Sequence, residues 1–335
     1  MQRYAFTRSK TAALAIASAL IFAGCGQDAQ TASAGSANAA EAGARAGRMV
    51  IAPQYDDAGP FSEGLASVRV GQRFGYIDKI GKIVIEPQFD FAGAFSEGLA
   101  HVGSGSNVGY IDKTGKFVIT PQAALLDIGG FSEGLAPIRV GDFLTGTWGF
   151  LDKKGETVIQ PEYEAAGPFS GGLAAVRIDG KWGYIDKQAN LVIQPQFVTG
   201  GSFADGLASV KVGELLSGKN GYIDKTGKFT IEPQFGDAFP FSDGLADVRV
   251  GEKYRFIDKT GKFAFSTEFE FADMFSEGMA PVRIGDEQSG KYGYIDKTGK
   301  MVIEPVFDYG DRFSEGMAAV RIGNELNGKF GYIGH

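Results

Sequence analysis

The chain has 335 residues and a formal net charge of −7, with a single cysteine and two histidines. The acidic balance argues against nucleic acid and anionic headgroups as partners. One thiol excludes a disulfide framework, and so few cysteines and histidines leave no basis for a zinc centre.

Residues 1–24 read as a targeting segment. Arg3, Arg8 and Lys10 form a positive start, and Thr11 to Ala23 is an apolar run too short to span a bilayer. The run closes at Phe22-Ala23-Gly24-Cys25. This resembles a bacterial lipoprotein signal, with Phe22 where leucine is usual. The resemblance implies cleavage before Cys25 and acylation of that cysteine. Several acyl chains, at about 0.8 kcal/mol per buried methylene, would hold the protein on a membrane through its anchor alone. Gly26 after the cysteine implies, by the same resemblance, an outer-membrane location where the organism has such a membrane. Three positive residues leave with the signal, taking the charge from −7 to −10. Residues 25–47 follow as an Ala, Gly and Ser tether with nothing bulky to bury.

Residues 48–335 repeat one pattern eight times. The phrase FSEGLA and its variants start at Phe61, Phe95, Phe131, Phe169, Phe203, Phe241, Phe275 and Phe313. A second phrase, GYID, tracks it from Gly75 onward, and a third, VIEPQF, from Val50 onward. A period of 34 to 38 residues means an array of like units. In the first full unit, Leu65 to Val70 alternates, with Ala66, Val68 and Val70 facing inward and Ser67 and Arg69 outward. Position 67 becomes His, Pro, Ala, Ser, Asp, Pro and Ala in the other copies, and this tolerance reads as a solvent face. Phe74 to Asp78 is the second strand. Asp78-Lys79-Ile80-Gly81 is a tight turn whose glycine supplies a positive φ. Ile83 to Glu86 is the third strand, stopped by Pro87. Each unit is thus a three-stranded antiparallel meander, and no helix is predicted.

Only the turn between the first and second strands changes length regularly. It is four residues longer at Asp142–Thr147, Glu214–Lys219, Asp286–Lys291 and Asn324–Lys329. These turns share a G-[DEN]-x-x-x-G pattern. Insertions repeated on one edge of an array often form its binding face. The candidate binding residues are therefore Asp142, Phe143, Leu144, Glu214, Leu215, Leu216, Asp286, Glu287, Glu325 and Leu326. The alternative is that these are tolerated extensions with no ligand.

The array is out of phase at its ends. It begins on a third strand, Met49 to Tyr55, and ends on a second, Phe330 to Ile333. Pairing Val50–Ile51 with Tyr332–Ile333 completes an eighth unit, as in a closed β-propeller-like ring. An open β-solenoid is the alternative.

Lys181-Trp182-Gly183-Tyr184-Ile185-Asp186 and Trp148-Gly149, with the turn, VI-x-P and FSEGLA that follow, resemble the WG repeat of bacteria across all eight units. The resemblance implies an all-β repeat protein, often exported and often a binder of partners, with no catalytic residues to carry over.

Chemistry is sparse. His101 sits at a variable first-strand position with no evident nucleophile to pair with. Acids recur at Glu63 and its equivalents, and Arg or Lys at Arg69 and its equivalents. A ladder of ion pairs or turn-capping acids explains them better than a glycosidase pair, which needs two acids singled out in one cleft. No cofactor or metal is expected. The functional expectation is a membrane-anchored scaffold in the cell envelope that binds a protein or an envelope glycan through its variable turns, and not an enzyme. A glycan hydrolase or lyase with acids in a central channel and a passive spacer are the alternatives.

Overall fold

A computed structural model describes residues 47–105, 107–120, 125–142 and 145–335. The signal, Cys25 and almost all of the tether lie outside these residues. Every regular element described is a strand. The strands form eight antiparallel sheets, seven of four strands and one of three, arranged as the blades of a closed propeller. The ring expectation holds, and the three-stranded unit needs correction. In the first blade a two-residue strand, Asp57–Ala58, precedes Ala66–Val70, Arg73–Ile77 and Ile83–Phe89. It pairs Asp57 with Arg69 and Ala58 with Val68. Two residues carry no readable alternation, so only tertiary pairing reveals this strand.

Closure occurs as the phase offset predicts. Arg48–Tyr55 adds to Lys329–Gly334, with Met49 opposite Ile333 and Ile51 opposite Tyr332. One blade therefore draws strands from both ends of the array, which leaves no terminal edge to fray.

The core lies between blades. Leu65, Tyr76, Ile85 and Phe89 of one blade pack with Phe95, Ala100, Val102 and Ile111 of the next. The Phe of FSEG and the Tyr of GYID meet across each interface. Tyr76 and Phe95 have ring centroids 4.9 Å apart, and Phe61 and Tyr332 repeat this at the closing junction. Such tilted pairs add about 0.5–1.5 kcal/mol each beyond the area they bury. The tyrosine hydroxyl then donates to a carbonyl of the following blade: Tyr76 to Gly93 at 2.8 Å, and Tyr332 to Gly59 at 2.8 Å. Phe150 and Phe256 take the tyrosine's place in two blades and cannot make this bond.

A second cross-blade lock uses FSEG itself. Ser62 Oγ donates to Phe95 O at 2.6 Å, and the pattern closes with Ser314 on Phe61 O. The acid sits at positive φ, 55° at Glu63. Its carboxylate accepts Gly98 N–H of the next blade at 3.0 Å and lies 3.1 Å from Lys113 Nζ in that blade's tight turn. Glu315 does the same with Gly64 N–H and Lys79 across the closure. The ion-pair ladder is therefore present, but its bases are the turn lysines and not the first-strand arginines. Arg69 instead approaches Asp57 in its own blade, at 3.9 Å. His335 occupies the lysine's place in the last blade, with Nε2 3.2 Å from Glu277 Oε2. Exposed pairs of this kind contribute about 0.2–1 kcal/mol each.

Equivalent FSEG segments touch all round the ring, so they and the two-residue strands lie nearest its axis. This overturns the solvent-face reading of position 67. Ser67 is 7% exposed, Ala175 2% and Asp247 fully buried. Near the axis the blades crowd together, and the neighbouring blade covers what would be an open face farther out. The tolerance at this position reflects different local packing, not water.

The sixth blade departs from the rest. In the others, the Gly of GYID faces the backbone of the outer strand. A Cβ on Gly75 would lie 2.4 Å from Ile85 O. Arg255 holds that position in the sixth blade, and only isolated bridges, Tyr254 to Phe269 and Ile257 to Phe263, remain of the outer strand. The guanidinium lies over the Phe263 ring, 3.5 Å from its centroid, and 3.7 Å from Glu268.

Candidate functional site

The long turns all lie on the face opposite the FSEG lock, because each joins the far ends of the same two strands. Their G-[DEN]-x-x-x-G pattern is a folding instruction. Gly213 and its equivalents take positive φ, from 87° to 115°. The second glycine closes the loop backward, as Gly218 N–H donates to Glu214 O at 2.7 Å. In three of the four turns the polar residue also caps the turn from within. Asp142 Oδ1 accepts Thr145 N–H at 2.8 Å, Asp286 Oδ1 accepts Ser289 N–H at 2.6 Å, and Asn324 Oδ1 accepts Leu326 N–H at 3.0 Å. The carboxylates of Asp142 and Asp286 are thus committed to holding their own turns, and the turn hydrogen bonds keep Asp286 below the usual carboxylate range.

The other candidates divide. Leu215 is 63% exposed, Leu216 96% and Leu326 98%. Glu214, Glu287 and Glu325 are exposed beside them. Phe143 and Leu144 lie outside the described residues. Leu216 and Leu326, nearly bare on turns closed by their own hydrogen bonds, contribute little to their own blades' packing.

The same face carries charged clasps that the sequence reading missed. The residue after each outer strand is an acid in five blades: Asp56, Asp90, Glu164, Glu270 and Asp308. Asp308 Oδ1 lies 2.5 Å from Lys291 Nζ of the preceding blade, and its Oδ2 accepts Gly323 N–H at 2.9 Å. Asp56 is held likewise by Lys329 at 2.5 Å and Gly71 N–H at 2.7 Å. Arg73 clasps Asp90, and Lys253 reaches Glu270 at 2.7 Å. The Lys329 hydrogen bond and then the Gly71 N–H hold Asp56 below the usual carboxylate range. A periodic acid at that position was the available signal, hidden because three copies carry Leu126, Val198 and Gly236 instead.

Acids on the inner wall come from the last three blades: Asp247, Asp273 and Asp311. Burial raises Asp311, with the hydrogen bond from Arg312 N–H and the Arg312 charge opposing and the Asp273 charge adding to it. Asp311 is 6% exposed and Asp247 is sealed. Asp311 Oδ1 accepts Arg312 N–H at 2.8 Å, and Asp273 Oδ1 accepts Met274 N–H at 2.7 Å. Asp273 and Asp311 thus bond the backbone beside them, which is turn-capping chemistry. No group of three or more acids, histidines or cysteines among the described residues is arranged to hold a metal.

His101 is half-buried at the blade interface, with its Nδ1 sealed from solvent. Its ring lies so close to Gly93 that a Cβ there would sit 1.9 Å from Cε1. Burial pushes its pKa below the ordinary value, with Asp127 nearby opposing the shift. The unfolded chain therefore takes up a proton below about pH 6.5 that the folded ring resists, and stability falls as pH drops through that range. His101→Ser, the residue that two other blades use, is expected to flatten the fall in melting temperature between about pH 6.5 and pH 5. An unchanged slope would show that carboxylates alone set it.

Solved structures similar to the chain include propeller-sized proteins of low identity. The chain is similar to a solved structure described as a eukaryotic initiation factor, at 13% identity and a TM-score of 0.56, covering 87% of this chain and 88% of that one. It is also similar to Hsv2p of Kluyveromyces lactis, at 8% identity and TM-score 0.48, covering 83% and 96% of the two chains. AztD of Citrobacter koseri matches at 12% identity and TM-score 0.45, over 76% and 84%. At 13% identity, the first of these speaks for the fold alone. No curated protein matches the chain in sequence. The model of the WG containing repeat matches eight times, at residues 45–73, 74–103, 109–142, 148–182, 182–215, 221–254, 254–287 and 292–325. With its phrases recurring in every blade of one closed ring, the chain belongs to the WG containing repeat family.

Proposed function

We propose that this propeller is a non-catalytic scaffold, anchored by Cys25 outside the cytoplasm, that binds a protein or envelope glycan through its long-turn face. The observation that carries the reading is the set of exposed leucines, Leu215, Leu216 and Leu326, presented on turns that are themselves closed by internal hydrogen bonds. Exposed apolar residues on a rigid rim suit recognition, because the backbone is already ordered before a partner arrives. The lone cysteine at the end of the apolar run, followed by an Ala, Gly and Ser stretch, supports the anchor.

The test is capture from envelope extract. The protein is expected in the membrane fraction, and to lose its partners when the four long turns are cut to the short form. Recovery of unmodified protein in the soluble fraction would remove the anchor. Retention of the same partners by the short-turn variant would remove the binding face.

A further inference from the structure

We propose that the notch between the fifth and sixth blades is a carboxylate-binding site that takes an aspartate or glutamate side chain of a partner polypeptide. The inference deepens the binding-scaffold reading and rests on it. Its basis is a clasp that lacks its own acid.

In the first, second, seventh and eighth blades, the residue just before the innermost strand is an acid held by a Lys or Arg at the start of the preceding blade's second strand, by a turn N–H, and by the field of a first-strand Arg where one is present. Asp56 has Lys329, Gly71 N–H and Arg69. Asp308 has Lys291, Gly323 N–H and Arg321. The sixth blade keeps the donors, as Lys219, Gly251 and Arg249, but residue 236 is glycine. The space this leaves is an open depression of about 350 Å³ lined by Lys211, Leu216, Lys219, Gly236, Arg249 and Gly251, among others.

The other non-acidic junctions do not match it. Val198 and Leu126 put apolar side chains at that position. At the notch, Lys219 meets no carboxylate, while Arg249 Nε is 2.5 Å from Asp237 Oδ2 and Lys211 Nζ donates to Leu215 O at 2.7 Å. Three cations thus face one neighbouring acid, on a chain that is acidic overall. The chain's own occupants of such clasps are Asp and Glu side chains. An incoming acid finds the same donor set, which makes the polypeptide the matching ligand class. Leu216, 96% exposed at the rim, offers apolar ground to a residue flanking that acid.

The experiment is an amide-shift titration of the protein with the blocked tripeptide acetyl-Leu-Glu-Leu-amide, its Gln counterpart and glucuronate. Saturable shifts at Gly251 and Lys219 are expected with the Glu peptide. They should weaken by about tenfold or more with the Gln peptide, as a charge-assisted pair is lost. Gly236→Glu supplies the missing acid from the chain itself. Glutamate already stands at the equivalent positions 164 and 270, and a Cβ on Gly236 meets nothing nearer than 3.4 Å, so the variant is expected to fold and to abolish peptide binding. Lys219→Gln should weaken binding similarly. Absence of saturable shifts, equal binding of the Gln peptide, or undiminished binding to Gly236→Glu would overturn the site. Glucuronate binding where the Glu peptide fails would overturn the polypeptide assignment. Loss of partner capture on turn shortening, together with a failed titration, would leave the binding face standing and remove only this notch.

Discussion

Deleting residues 48–56 is expected to destabilise the entire ring, not to trim one edge. Ile51 and Tyr55 are each 4% exposed and pack with Phe61, Val68, Ile77 and Tyr332 at the junction of the last blade and the first. Truncating one such buried side chain costs about 2–5 kcal/mol, so losing both with their strand removes at least about 5 kcal/mol. At about 2 °C per kcal/mol for a domain this large, the melting temperature should fall by about 10 °C or more. A ring also shares every interface, so exposing one junction weakens its neighbours. A permutant separates strand loss from ring opening. Gly334-His335 and Gly47-Arg48 are the two halves of an interrupted DKTG-like turn. Moving residues 47–56 behind His335 through one added residue should rebuild that turn and restore nearly full stability. A deletion variant melting within a few degrees of the parent would show that closure matters little.

Gly183→Val is expected to expel the outer strand of the fourth blade. A Cβ on Gly183 would lie 2.6 Å from Ile193 O and 2.8 Å from Pro195 N, both backbone atoms that cannot turn aside. Overpacking typically costs about 1–3 kcal/mol, and a clash against backbone belongs at the upper end. The sixth blade shows the outcome in the native chain: with Arg255 at this position, residues 263–269 keep only isolated bridges. Amide exchange across Leu191–Phe197 should accelerate while the inner strands stay protected. Unchanged protection there would mean that the strand tolerates a side chain, and that Arg255 does not cause the broken blade.

The repeat phrases were legible because each has a local cause. The Asp of the tight turn accepts the N–H groups of the residues after it, as Asp78 does from Ile80 and Lys82, and Gly81 takes a φ of 83°. Such chemistry is confined to a few neighbouring residues, so it can be read in one dimension. Closure was legible for the same reason, since a missing partner strand shows as a phase offset. The acid of FSEG was readable as a recurring charge, but its partner was not. Lys113 stands 50 residues from Glu63, and nothing local names it.

The sequence by itself determined the all-β repeat, the eight units, the turn geometry and the edge on which the long turns fall. These follow from periodicity and from backbone conformations that only certain residues adopt. Tertiary structure alone decided which faces are buried, the two-residue inner strands, and the cross-blade clasps. Position 67 varies like a surface yet is buried in six blades and half-buried in the other two, because the neighbouring blade covers it near the axis. Gly236 looks like one more glycine among 50. It becomes a vacated carboxylate site only when Lys219, Arg249 and Gly251 are brought around it from two blades.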